Sequence, residues 1–336
     1  MSIKRYIFAP FPWQKELLSL LERGEVWSGR HSNFTPWIAQ TYAELIKRGF
    51  DFVITDSLSV DGIILADRDT LGNSYPFLPN SLLICAKSDR EFHPSATFHI
   101  THNRRDEHNV EKKKVWGAHY IDHWPMPNII PRDSQRGSKL ENIAYIGSRS
   151  QLADELKDSS WKQRLAQIGI NWIPIFDPSL WNDYTNIDLI VAARRFPSYP
   201  YYNKGLIKLI NSWYAGVPSL LAPESSFINE KVSEYDFIQI NSVEDAYRSI
   251  RFLQSNPIFY LRMIERCKER SQLLTREAIS TQWVDFFREV DIFYDSWKRM
   301  SLVRSVANFS LKLYLLRTQR AQTRIRGALG KYLPSK

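Results

Sequence analysis

The stretch Ile187–Ser226 sets the tightest limit on what this chain can become. Ile187–Ala192 is a short, apolar, β-branched run suited to a strand buried on both faces. A loop rich in aromatic and basic residues follows, carrying Arg194, Arg195 and Lys204. From Gly205 to Ala215 the apolar residues Leu206, Leu209, Ile210 and Trp213 recur at helical spacing, and Gly216 and Pro218 stop the helix. Val217–Leu221 is a second buried run, ending in Pro223, Glu224 and Ser225. Strand, cationic loop, helix and strand make a βαβ unit. Unpaired N–H groups and the positive dipole end gather at a helix start, so this place suits phosphate. The same pattern also fits an ordinary crossover with a basic, solvated loop.

Strand-like runs recur on both sides of this unit. In the N-terminal half they are Arg5–Ala9, Phe52–Thr55, Ser81–Ala86, Thr97–Thr101 and His119–Asp122; Pro36–Arg48 is helical in pattern, and Val60–Leu71 gives mixed signals. A proline-rich connector from Pro125 to Gly137 marks a boundary. Beyond it come a strand at Asn142–Ile146, a helix at Leu152–Gln167, strands at Asn171–Ile175 and Asp236–Ile240, and helices at Val243–Leu253, Pro257–Leu274 and Trp283–Tyr294. Alternating strands and helices imply parallel sheets with ligands at the strands' carboxyl ends. Three regions follow: 1–137, 138–285 and a helical extension, 286–336.

Charge is distributed unevenly. The net charge of +9 comes from the tail: after Asp295 there are ten Lys or Arg and no acid, while the rest has 35 basic and 36 acidic residues. A body near −1 argues against nucleic acid as a partner. In the tail, Leu302, Val306, Phe309, Leu313 and Leu316 form one helical stripe. This fits an interfacial helix on an anionic membrane surface, or a terminal helix packed on the N-terminal domain. No run is long enough to span a bilayer, and the N-terminus lacks a signal-peptide core. Cys85 and Cys267 are expected as buried free thiols in a reducing cytoplasm. The histidines match no metal-binding spacing, so no metal and no cofactor is expected.

The segment from Lys208 to Ser226, KLINSWYAGVPSLLAPESS, resembles the nucleotide-sugar-binding segment of GT-B glycosyltransferases. In that superfamily a helix ending in small residues, Gly and Pro leads into a buried strand. The resemblance implies an α/β fold of two Rossmann-like domains facing across a cleft, here with a basic amphipathic tail. Lys204 and Lys208 stand where those enzymes commonly hold a diphosphate. Asn203 and Asn211 occupy the places of an acidic pair found in many retaining members. The strand ending Thr101-His102 is similar to one that faces the cleft in many GT-B enzymes, which implies that His102 lies near the donor.

Donor contacts are accordingly expected from Gly147, Ser148 and Arg149 at a strand-to-helix turn, from Arg194, Arg195, Asn203, Lys204, Gly205, Lys208 and Asn211, and from Glu224 and Ser225. His102 or Asp61 would take the acceptor's proton in an inverting reaction. Arg30, His31 and Asn33 would bind acceptor hydroxyls with Trp27 or Trp37 stacking on a ring, and Arg104 and Arg105, also on the acceptor side, would offset phosphate charge. The expected function is transfer of a sugar from a nucleotide sugar to a bacterial surface polysaccharide or lipid-linked glycan. The expected place is the cytoplasm, peripheral at the inner face of the plasma membrane. A nucleotide-sugar epimerase and a non-catalytic glycan- or membrane-binding scaffold of the same fold are the rivals.

Overall fold

The computed structural model describes residues 3–24 and 34–330, with side chains through Ile325. Trp27, Arg30, His31 and Asn33 lie outside the described residues. In chain order the first lobe contains β1 (Arg5–Phe8), α1 (Pro12–Glu22), α2 (Gln40–Ile46), β2 (Val53–Thr55), β3 (Gly62–Asp67), α3 (Arg68–Leu71), β4 (Ser81–Ala86), β5 (Phe98–Thr101), α4 (Arg104–His108), α5 (Val110–Trp116) and β6 (Ala118–Tyr120). The second contains β7 (Asn142–Ile146), α6 (Asp154–Lys157), α7 (Ser159–Ala166), β8 (Asn171–Ile175), β9 (Leu189–Ala192), α8 (Ile207–Ala215), β10 (Ser219–Leu221), α9 (Ser225–Glu230), β11 (Ile238–Gln239), α10 (Val243–Ser255) and α11 (Pro257–Leu273). Two long helices, α12 (Arg276–Lys298) and α13 (Leu302–Gly330), complete the chain.

Both sheets are parallel throughout. The first has six strands in the order β2-β1-β3-β4-β5-β6, the second five in the order β11-β10-β9-β7-β8. Helices cover both faces, which is why β3, β4 and β9 are buried at every residue and read as continuous apolar runs.

Several expectations are corrected. The mixed run Val60–Leu71 is a central strand joined directly to a helical turn, with Asp67 capping by accepting from the Asp69 and Thr70 amides. The helix expected over Leu152–Gln167 is broken at Asp158, whose carboxylate accepts from Ser160 N and restarts the chain as α7. The helix expected from Gly205 starts at Ile207, and Gly216, at φ +67°, ends it with a left-handed cap.

Packing also divides the chain differently from its strand pattern. The second lobe's core closes at Leu274. Ile279 and Trp283, expected with the second lobe, join Phe286, Phe287 and Val290 of α12 in the first lobe's core, among Trp37, Tyr42 and Trp124. The chain therefore crosses between lobes twice, after β6 and again between α11 and α12.

The tail follows the first lobe as well. Phe309 meets Phe77 at 5.7 Å, Leu316 is buried with Phe92 and Trp116, Lys312 donates to the Ala96 carbonyl at 2.6 Å, and Arg320 pairs with Glu91. Part of the apolar stripe is thus spent on the body, while Leu302 and Val306 stay exposed. Among the described residues no helix is long and apolar enough to cross a membrane.

Candidate functional site

The carboxyl ends of the two sheets border one cleft, a cavity of about 610 Å³ lined from both lobes. On the first wall, β5 delivers His102. The ring is buried and stacks on Trp37, with centroids 3.5 Å apart and planes within 10°, and the His123 ring lies 5.9 Å away. After β4 the chain turns through Ser88, at φ +54°, and sets Asp89 and Arg90 on the cavity, with Arg90 paired to Asp69 at 2.7 Å.

The second wall is cationic. Gly147 follows β7 at φ +144°, where a Cβ would collide with the Lys208 ammonium and come within 3.1 Å of the Tyr145 hydroxyl. Only glycine lets Lys208 reach the end of that strand, where it donates to the Ile146 carbonyl and lies 4.4 Å from the Tyr145 ring centroid. Leu206 stands at the N-cap of α8 and supplies no capping side chain, while its carbonyl takes the Leu209 and Ile210 amides. Gly205 lets the lobes approach: a Cβ there would lie 3.0 Å from the Cβ of His102.

Each cation already has an anionic or carbonyl counterpart. Arg194 bonds Glu224 at 2.9 Å and Gln151. Burial pushes the Glu224 carboxyl above its ordinary value, against the pull of Arg194 and of Lys208 and Lys204 beyond it. Lys204 pairs across the cleft with Asp89, and Asn203 donates to the Asp89 carbonyl at 2.7 Å. Burial alone would raise the Asp89 carboxyl, but Lys204, with Arg90 behind it, holds it below its usual range. An ion pair thus bridges the cleft where a phosphate would compete for the same ammonium.

Of the residues singled out by sequence, Trp37, His102, Gly147, Ser148, Arg194, Lys204, Gly205, Lys208 and Asn211 line the cavity. The others are placed elsewhere. Asp61 sits before the first residue of β3, paired with Lys298 and Tyr294; six strand residues at ~3.3 Å each separate it from the cleft end, so it is not a base there. Arg149 is exposed, its guanidinium 5.4 Å from the Phe176 ring, and Arg195 is exposed at the rim, bonded to the Pro197 carbonyl. Glu224 is a buried counter-ion. Ser225 accepts from Asn103 at 2.7 Å, and Arg104 spans the lobes to Glu230 at 2.9 Å, so both act as ties between lobes. Arg105 lies 3.6 Å over the Tyr202 ring. Asn211 accepts from the Met126 amide at 3.0 Å, anchoring the connector at the cavity's edge.

Sequence reasoning missed Asp89, Arg90, Asp69 and Gln151. The polar group Lys87–Arg90 directly after the apolar run Ser81–Ala86 was the available signal, because polar residues at a parallel strand's carboxyl end face the ligand side. Among the described residues no three of His, Cys, Asp or Glu are grouped to hold a metal ion.

Among solved structures, the fold is similar to sucrose-phosphate synthase from Thermosynechococcus elongatus, at 11% identity and a TM-score of 0.51, over 87% of this chain and 100% of that one. Anabaena HepE, solved with UDP and glucose, is similar at 10% identity and a TM-score of 0.49, over 85% of this chain and 100% of that one. A glycosyltransferase of Avilamycin A biosynthesis reaches 0.48 at 10% identity, over 85% and 97%. No protein-family model matches the sequence, and no curated protein matches it.

Proposed function

We propose that this chain, which has the two-lobe GT-B fold, moves a sugar from a nucleotide diphosphate donor to a hydroxyl of a surface polysaccharide or lipid-linked glycan. The observation that carries the reading is the second wall of the cleft. There Arg194, Lys204 and Lys208 meet the uncapped start of α8 and the Gly147 turn around one cavity. A diphosphate has the complementary charge. As the bond between its oxygen and the anomeric carbon breaks, the charge it gains would be met by cations already in place, without a metal.

In this reading the acceptor oxygen bonds to the anomeric carbon from the first lobe's side. Its proton passes to His102, the imidazole that β5 brings to the cavity. Asn203 and Asn211 leave no carboxylate at the places of the retaining pair, which favours inversion. The exposed face of α13, with Val303, Val306, Tyr314, Arg304 and Arg317, would lie on the anionic inner leaflet and bring the cleft to a membrane-borne acceptor.

Calorimetry with UDP, GDP and CMP tests the central claim. At least one nucleotide should bind, and Lys208→Ala should weaken it by ~10- to 100-fold, the size of a charge-assisted hydrogen bond. A chain that binds none would be a scaffold. An unchanged affinity in Lys208→Ala would remove the diphosphate from this wall.

A further inference from the structure

We infer that the tyrosine-rich loop Phe196–Asn203 is a docking platform for an oligosaccharide acceptor, a role that rests on the glycosyl-transfer reading above. The loop runs between Arg194 and Lys204, two residues that line the cavity, so it forms the rim of the cleft on the second lobe. Tyr199 is 49% exposed and Tyr202 38%. Tyr199 meets Tyr201 at 5.2 Å and 82° and Tyr202 at 6.2 Å and 62°, so the rings form a corner instead of a flat stack. A corner of aromatic faces suits the C–H faces of successive pyranose rings, which change direction at each linkage.

The polar chemistry agrees. Among the described residues none of the three tyrosine hydroxyls hydrogen-bonds to another residue, although an amphipathic ring gains from a partner at its polar tip. Arg105 of the first lobe lies over Tyr202, Arg194 lies 5.7 Å from the Tyr201 ring centroid, and exposed Arg195 bonds the Pro197 carbonyl within the loop, so guanidinium donors for sugar oxygens border the patch. Tyr201 has φ +43°, an uncommon conformation for a bulky residue, and such strain persists where surrounding structure fixes it, often at ligand sites. Three partly exposed rings present well under the ~800 Å² per side of a stable protein interface, which favours a glycan over a protein partner.

The test uses the full chain on an array of immobilised neutral and acidic oligosaccharides, with UDP, GDP and CMP calorimetry in parallel. The wild-type chain should be retained by a subset of glycans. Tyr199→Ala/Tyr202→Ala should lose about tenfold or more in retention, while Tyr199→Phe/Tyr202→Phe, which keeps both rings, should stay within about threefold. Nucleotide affinity should be unchanged in both. Retention of the alanine variant at the wild-type level overturns the inference, as does a chain that binds nucleotide but no oligosaccharide. A chain that binds oligosaccharides through the tyrosines but no nucleotide would keep the platform and remove the transferase reading.

Discussion

His93 and His99 are buried inside the first lobe and bonded to each other. His99 donates from Nδ1 to the Trp116 carbonyl at 2.6 Å and accepts at Nε2 from the His93 amide at 2.8 Å, an arrangement that fixes one neutral tautomer. Burial pulls His93 down to about 3 and holds His99 well below its ordinary value. The unfolded chain takes up a proton at each near pH 6.5, whereas the fold admits none until far lower pH. Stability is therefore full above pH 6.5 and falls as pH drops toward 3, by at most about 2.7 kcal/mol per pH unit for the two together. Urea unfolding at pH 7, 6 and 5 checks this, and His93→Gln should remove about half of the slope. The six clustered histidines match no zinc spacing: His93, His99 and His123 are buried and bond to backbone carbonyls, His119 is half-buried, His108 is exposed, and His102 is stacked on Trp37 at the cleft.

At the scale of elements, the connector is held by Asp188. Its carboxylate receives Arg132 and Arg136 and the amides of Glu141 and Asn142, all within 3.1 Å, and these bonds hold it below its usual range although burial pushes it upward. Asp188→Asn should cost ~3–5 kcal/mol, because it strips a buried arginine of its charge partner; chemical denaturation with the slope unchanged would measure it. The elements most legible in the sequence were those fixed by local pattern. Ser81–Ala86, Asn142–Ile146 and Asn171–Ile175 appear with the expected bounds; the first two are covered on both faces and so need an unbroken apolar run, while the third is the partly exposed edge strand β8. The cationic turn between β9 and α8 was legible for the same reason. Less legible was β3, whose apolar run is hemmed by Asp61, Asp67 and Asp69, charges that serve neighbouring helices. The partner of α12 was invisible, since either lobe offers apolar surface to its buried face. Sequence spacing likewise gave Asp61 no address, and only the strand's direction puts it at the wrong end of the sheet.

At the scale of the molecule, the tail has two faces with different duties. Its inner face pins it through Leu316 and Arg320, while exposed Val303, Tyr314 and Ile325 lie among arginines on the outside. Full-length protein should co-sediment with vesicles containing phosphatidylserine, and Arg304→Gln/Arg317→Gln/Arg324→Gln should reduce the bound fraction several-fold at low salt, at ~1 kcal/mol per charge. Equal binding by the variant, or none by the parent, would detach the membrane from the tail. Lys312 sets a limit on that pinning. Burial pulls its ammonium down to about 8, so the charge opposes docking at neutral pH and is relieved as pH rises from about 8 toward 10.5. Proteolysis at the start of α13 should slow over that interval.

Because the polypeptide passes from lobe to lobe at two places, the pair behaves like covers joined at two stitches and not one. Sliding or free twisting would stretch a passage; rotation about the line through both does not. Nucleotide and glycan would then come and go through the same mouth, in an order set by how far that single angle swings.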